Sequence, residues 1–182
     1  MNEIAKQENG ITKVDQAKFV TILKFNETLN KPPRPEWIKS NRYSQNAKYL
    51  PIRIVENMLR SIFGIYQVEM IGAPHILGNC VVVSVHLKVL HPVLGEWLTY
   101  AGTGAVPIEL KATKTDKEGK VLEEGARNAL DFERINLKAL HKNVPAALSF
   151  AVSNAAKKIG KRFGSDLNND ELSENYSVYG NL

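Results

Sequence analysis

The feature that most constrains the fold is an alternating segment near the middle of the chain. Valine or leucine recurs at every second position from Val81 to Val89, and the positions between them include Ser84, His86 and Lys88. Successive side chains of a β-strand point to opposite faces of the sheet. The segment therefore predicts a strand with one face in the core and the other face available for contacts.

Two flanking segments extend this strand into a sheet. Residues 66–77, 79–91 and 96–105 are rich in β-branched and aromatic residues, and Gly78-Asn79 and residues 92–95 separate them. Such separators are typical of turns. We predict three antiparallel strands joined as a meander.

Helical spacing appears on both sides of the predicted sheet. Residues 14–29 fit a helix, although 19–23 also fit a strand, and prolines in 31–35 end it before a linker to about residue 48. Residues 51–63 predict a second helix, because apolar residues recur at helical spacing until Gly64.

The clearest helical pattern follows the sheet and comes late in the chain. Pro145 is expected to open this helix and Gly164 to close it, with an apolar stripe made of Leu148, Val152, Ala155, Ile159 and Phe163. The charged stretch 113–120 is expected to be an exposed loop or hairpin tip. The predicted fold is thus α+β: a three-stranded antiparallel meander followed by a long helix, a β-β-β-α core, with N-terminal helices.

The distribution of charge divides the chain into a basic body and an acidic end. All 24 Lys and Arg precede residue 163, whereas four of the 19 Asp and Glu fall in residues 165–182, so residues 1–164 carry +9 and residues 165–182 carry −4. We predict a mobile arm over 1–13, one domain over 14–164 and an acidic flexible tail over 165–182. A basic body indicates a polyanionic partner.

Composition narrows the class of protein further. The single cysteine, Cys80, excludes an internal disulfide, and the four histidines lack zinc-ligand spacing, so no structural metal is expected. The apolar runs are too short for a membrane span and the first residues have no signal core. We expect a soluble, cytoplasmic protein with no membrane partner.

A basic cluster lies in the last predicted helix. Lys157 and Lys161 would lie one turn apart on that helix, as would Lys158 and Arg162. Such a row of cations can follow a phosphate backbone, or it can be a solvated face that favours the helix dipole. Gly160, read as a glycine inside the helix, would permit close approach of a backbone or a second element. Any aromatic ring on the basic side could stack on an unpaired base, although most of the candidates are expected in the core or at an interface: Trp37, Tyr43, Tyr49, Tyr66, Trp97 and Tyr100.

The sequence lacks several common enzyme motifs. The sequence contains no phosphate-binding loop, dinucleotide fingerprint, zinc-protease helix or nucleophile elbow. Gly102-Thr103-Gly104 is best explained as a bend or bulge at a strand end. A metal-dependent nuclease is the enzymatic alternative, and its carboxylates would come from Glu123, Glu124, Asp131 and Glu133. No catalytic residue is otherwise predicted, and no cofactor.

The order of several segments suggests a family. The helix predicted over 14–29 is followed by Pro-Glu-Trp-Ile-Lys-Ser at 35–40, a helix ending Ile-Phe-Gly at 62–64, a central strand with Val-His-Leu-Lys at 85–88, Gly-Thr-Gly at 102–104, and Ala-Val-Ser-Asn-Ala-Ala-Lys-Lys-Ile-Gly-Lys-Arg-Phe-Gly at 151–164. Over about residues 17–167 this order resembles the single-strand DNA annealing proteins of the Rad-fifty-two superfamily, including phage recombinases of the Sak kind.

The resemblance implies a function and an assembly. It implies subunits joined into a ring or helical filament, an outer groove that holds single-stranded DNA with its bases exposed, and annealing of complementary strands in recombination without a nucleotide cofactor. A single-strand-binding protein or an exonuclease is a candidate partner. The positions implied to bind DNA are Arg53, Tyr66, Lys157, Lys158 and Lys161, with Arg162 of the same cluster, and Lys88 and Lys138 at a second, outer site.

Two features depart from the family's pattern, and one other function stays open. Residues 90–95 replace a glycine-rich turn, and Pro145 interrupts a helix that is often continuous. The main alternative is a sequence-independent nucleic-acid-binding module that anneals nothing.

Overall fold

A computed structural model describes residues 13–42 and 46–169. In these two ranges the chain forms three α-helices: α1 (Lys13–Asn30), α2 (Ile52–Phe63) and α3 (Leu137–Lys157). The strands of the same ranges are β1 (Lys39–Asn41), β2 (Ala47–Tyr49), β3 (Tyr66–Met70), β4 (His75–Leu77), β5 (Cys80–Leu90), β6 (Trp97–Pro107), β7 (Lys114–Thr115) and β8 (Val121–Glu123). The predicted α+β class is confirmed, as are the first two helices.

The main sheet is an antiparallel meander with β5 at its centre. β3 and β4 pair with one edge of β5, and β6 pairs with the other edge along its whole length, from Cys80 opposite Pro107 to Leu90 opposite Trp97. The predicted strand 66–77 is two short strands. Gly72 between them has φ 74°, and Pro74 has no amide hydrogen for a ladder, which explains the interruption.

The core lies between this sheet and two helices. The alternating residues of β5 face α3 and α2 and are all buried, as the sequence pattern predicts: Val81, Val83, Val85, Leu87 and Val89. α3 packs against β5 and β6, and α2 packs against α3. The opposite face of the described sheet is here called the open face; on β5 it carries Ser84, His86 and Lys88, which are half-buried, and Val82, which is buried.

Both predicted ends of the last helix are wrong. α3 begins at Leu137, so Pro145 lies inside it rather than at its start. The buried Asn143 side chain donates to the Pro107 carbonyl (2.9 Å), which holds the turn before the proline against β6 and helps offset the loss of one helical hydrogen bond. The suspected interruption of a continuous helix is therefore absent at this position.

The helix also ends earlier than predicted, at Lys157. Lys158 and Ile159 donate to carbonyls three residues back, and a short 3-10 helix, Lys161–Phe163, follows after Gly160. Gly160 is thus outside the helix. A Cβ on Gly160 would lie 2.8 Å from the Leu29 carbonyl oxygen, so this glycine allows the chain to pass closely over the end of α1.

The Gly-x-Gly in β6 has a packing role rather than the predicted bend. Gly102 and Gly104 pair in regular register with Val85 and Val83, and their faces turn toward α3. A Cβ at either position would overlap the α3 backbone at Ala151. The two glycines let the helix lie unusually close to the sheet.

Two small hairpins complete the described chain. β1 and β2 pair within the predicted linker, which the sequence analysis missed, and a 3-10 turn, Pro35–Trp37, precedes them. β7 and β8 pair across the charged loop, as predicted. The predicted mobile arm lies outside the described residues except for Lys13, and only residues 165–169 of the acidic tail are described, as turns.

Candidate nucleic-acid interface

A groove of about 780 Å³ separates the β1–β2 hairpin from the last two turns of α3. We call it the hairpin groove. The start of α2 forms part of its floor, together with the buried Leu50 and Phe163. The groove is lined by Ser40, Asn41, Arg42, Ala47, Lys48, Tyr49, Leu50, Pro51, Ile52, Val55, Ser149, Phe150, Ser153, Asn154, Lys157, Phe163 and Asn168.

Cations and aromatic rings share this groove. Arg42 and Lys48 lie on the hairpin and Lys157 lies on α3, so positive charge borders the groove on both sides. Two aromatic residues of the groove are exposed, Tyr49 by 42% and Phe150 by 52%. Cations bind phosphates and exposed rings stack on bases, which is the combination that single-stranded nucleic acids require.

The walls of the groove are fixed by side chains that bind backbone groups. Asn168 accepts from the Lys48 amide (2.7 Å) and donates to the Lys48 carbonyl (2.9 Å), which anchors the hairpin to the turn after α3. On the other wall, Asn154 donates to the Thr103 carbonyl of β6 (2.9 Å) and accepts from the Lys157 ammonium (3.4 Å). Both walls are therefore tied to the rest of the fold.

The predicted basic cluster does not form one row. Because α3 ends at Lys157, the expected helical spacing of Lys157 to Lys161 and Lys158 to Arg162 is wrong. Lys157 lines the hairpin groove, and Lys158 is exposed in the turn that follows it. Lys161 forms an ion pair with Asp166 (3.0 Å). A hydrogen bond from Ser165, and then the one from Lys161, holds the pKa of Asp166 below its usual range despite partial burial.

Arg162 lies at a different groove. Its guanidinium stacks over Trp37 at 5.4 Å from the ring centroid and donates to the Pro32 carbonyl (3.0 Å). Arg34 lies over the same ring at 5.0 Å. Arg162 and Trp37, with side chains of α1 and α2 such as Phe25, line a second, largely apolar groove of about 600 Å³.

The other predicted DNA-binding residues are dispersed. Arg53 is exposed in the first turn of α2 but is outside the residues that line the hairpin groove, and Tyr66 is half-buried against the core. Lys88 lies on the open face, where it pairs with Glu69 (2.6 Å). The hydrogen bond and charge of Lys88 lower the pKa of that carboxyl. Lys138 lies in α3, and its side chain is outside the described residues.

The sequence analysis missed three residues that line the groove: Arg42, Lys48 and Phe150. Nothing in the local sequence marks the two cations, because they belong to a hairpin whose strands are only three residues long. Phe150 has a weak signal, since it falls off the apolar stripe of the helix that contains it. Tyr49 was among the predicted aromatic candidates and does lie in the groove.

Three of the four carboxylates of the nuclease alternative are paired with cations or backbone. Glu123 binds Lys114 (2.5 Å), whose hydrogen bond lowers the pKa of that carboxyl. Glu124 binds Arg134 (3.2 Å), and Asp131 accepts from a backbone amide (3.1 Å). Among residues 13–42 and 46–169, His, Cys, Asp and Glu side chains form no group of three that could hold a metal ion.

Neither a family model nor a curated protein sequence matches this chain. No helix within the described ranges has the length and apolar character needed to cross a membrane. Assignment of a function therefore depends on the groove and on the features of the sequence.

Proposed function

We propose that the protein binds single-stranded DNA and anneals complementary strands without ATP. The observation that carries this proposal is the hairpin groove, where Arg42, Lys48 and Lys157 lie beside the exposed rings of Tyr49 and Phe150. The resemblance of the sequence to single-strand annealing proteins supports the same function. In this proposal the bound strand is the substrate, and the protein forms no covalent bond with it.

The mechanism follows from binding the backbone rather than the base edges. Cations on both walls neutralise phosphates, so binding is independent of sequence and weakens with salt. The two exposed rings stack on bases without reading their hydrogen-bonding edges. A second strand can then test its pairing against the bound one while the repulsion between the two backbones is reduced.

Assembly into a ring or filament is part of the proposal. An annealing protein must hold many nucleotides in register, and one groove of about 780 Å³ spans only a few. Apolar side chains are exposed along β3 and the segment after it, where Val68 is 40%, Met70 is 50% and Ile71 is 44% exposed. The outer long edge of β6 has no strand partner among the described residues. Both features favour contacts between copies.

The experiment mixes two complementary oligonucleotides, one with a quenched label, and follows pairing against protein concentration without ATP or metal. Wild-type protein should accelerate pairing, and the acceleration should fade with added salt. The groove variant Arg42→Gln/Lys157→Gln should lose this acceleration of pairing. Its matched control, Lys117→Gln/Lys120→Gln, removes the same charge from exposed residues of the β7–β8 loop and should retain it.

Binding measured by fluorescence anisotropy gives the magnitude. Each phosphate neutralised on a single strand contributes about 0.7 to the slope of log affinity against log salt, so loss of two cations should reduce the slope by about 1.4. If the affinities of wild type and variant become equal near 1 M salt, this difference in slope corresponds to roughly 25-fold weaker binding by the variant at 0.1 M salt. Equal slopes for the groove variant and its control would refute the proposed site. Binding without faster pairing would instead indicate a nucleic-acid-binding module, and degradation of the strands with magnesium would indicate a nuclease.

A further inference from the structure

The acidic end of the sequence begins at the rim of the hairpin groove. Asn168 lines the groove and is held there by its two hydrogen bonds to the Lys48 backbone. Residues 170–182 follow after one more residue, Asn169. Because an extended chain spans about 3.5 Å per residue, Asp170 is within about 7 Å of the Asn168 anchor and Glu174 is within about 21 Å.

The composition of this segment matches the groove. Residues 170–182 contain Asp170, Glu171 and Glu174 and no Lys or Arg, with tyrosines at 176 and 179. The groove presents three cations and two exposed rings. Carboxylates spaced along an extended chain, followed by aromatic rings, offer the groove the same kinds of group as phosphates and bases.

We propose that the segment 170–182 occupies the hairpin groove of its own chain and competes there with single-stranded DNA. The competition rests on the proposed function, whereas occupation of the groove by the segment does not. A ligand attached by a short chain has an effective concentration on the order of 1 mM. A segment that binds with a dissociation constant of about 1 mM therefore lowers the affinity for DNA about twofold, and tighter binding lowers it further. The competition should be strongest at low salt.

The first test uses no DNA. It requires the full-length variant Asp170→Asn/Glu171→Gln/Glu174→Gln, here called the neutral-tail protein, and a labelled synthetic peptide of residues 168–182. We expect the peptide to bind this protein with a dissociation constant of about 1 mM or tighter. Binding should be lost when Arg42→Gln/Lys157→Gln is added to the protein, or when the peptide carries the three neutral residues. Absence of binding up to about 5 mM, or binding unaffected by the groove substitutions, would overturn the inference.

The second test measures DNA affinity in the full-length protein. At 50 mM salt the neutral-tail protein should bind an oligonucleotide at least about twofold more tightly than wild type, and the gain should shrink as salt increases. The control Glu27→Gln/Glu118→Gln/Glu133→Gln changes the net charge equally at exposed residues outside the groove. Equal gains in DNA affinity for the two variants would overturn the proposed competition, because net charge alone would then explain the gain.

The two tests separate failure of this inference from failure of the proposed function. Peptide binding that depends on the groove, in a protein that binds no oligonucleotide, would support the segment as the ligand of the groove and refute DNA binding. Oligonucleotide binding without peptide binding, and with no more gain in affinity for the neutral-tail protein than for the control variant, would support DNA binding and refute the segment as the ligand of the groove.

Discussion

Replacing Gly104 with alanine should destabilise the protein by forcing α3 away from the sheet. Gly104 faces α3, and a Cβ at this position would lie within 3.0 Å of the Ala147 carbonyl oxygen and the Ala151 amide nitrogen. Ala147 and Ala151 are fully buried, and the obstructing atoms belong to helix backbone. Unlike the end of a flexible side chain, these atoms cannot rotate away, so the helix as a whole must shift.

The expected cost follows from two opposing effects. Overpacking a core costs about 1–3 kcal/mol, and obstruction by backbone places Gly104→Ala near the upper end. Replacing glycine with alanine also restricts the unfolded chain, which returns about 0.4–1 kcal/mol. The net loss should be about 2 kcal/mol, which is a large part of the 5–15 kcal/mol typical of folded domains but leaves the protein folded.

Urea denaturation followed by circular dichroism measures this loss. With a slope of about 2 kcal/mol per molar urea, the midpoint of Gly104→Ala should fall by about 1 M. The control Ala101→Val adds volume on the open face of the same strand, where the side chain is exposed, and should change stability by less than about 0.5 kcal/mol. If Gly104→Ala and the control have the same midpoint, close packing of α3 on this glycine is not the reason for its presence.

Two further predictions concern His91 and Arg162. The Nδ1 atom of His91 accepts from two backbone amides, those of Val93 (3.2 Å) and Leu94 (3.1 Å), and burial lowers the pKa of this imidazole. As pH decreases, the imidazole is therefore protonated in the unfolded chain before it is protonated in the folded protein, and the free energy of unfolding should fall below about pH 6.5. Urea titration at pH 7 and pH 5 should show a smaller fall in His91→Gln than in wild type. Arg162→Gln should lower stability by about 1 kcal/mol through loss of its stacking on Trp37, and should leave the salt dependence of DNA binding unchanged. A fall in the salt slope equal to that of Lys157→Gln would place Arg162 on a phosphate instead.

The sheet was predictable because its pattern and its burial agree. Alternation along β5 requires one face to be apolar wherever the strand lies, so the pairing of three strands and the side facing the core follow from the sequence. The ends of α3 were not predictable in the same way. Pro145 is unfavourable in any isolated helix, and the contact of Asn143 with Pro107, from a strand more than 30 residues earlier, helps hold the turn before it.

The hairpin groove depends on contacts between distant parts of the chain. β1 and β2 are short and exposed, so they have no hydrophobic period that a sequence could display. Their position beside α3 is held by Asn168, which is 120 residues from its partner Lys48. Of the predicted DNA-binding residues, Lys157 alone lines the groove among those whose side chains are described, because helical position places it there.

The end of α3 divides a run of four similar cations into different environments, and this changes what a binding measurement should show. Had all seven predicted cations contacted phosphates, the slope of log affinity against log salt would be about −5 per subunit. Lys161 and Lys88 instead have carboxylate partners, and Arg162 lies over a tryptophan ring. Arg42 and Lys157 of the hairpin groove predict a slope of about −1.4 for wild-type protein on a short oligonucleotide. A slope near −5 would mean that the ion pairs open on binding and that the strand follows a path far longer than this groove.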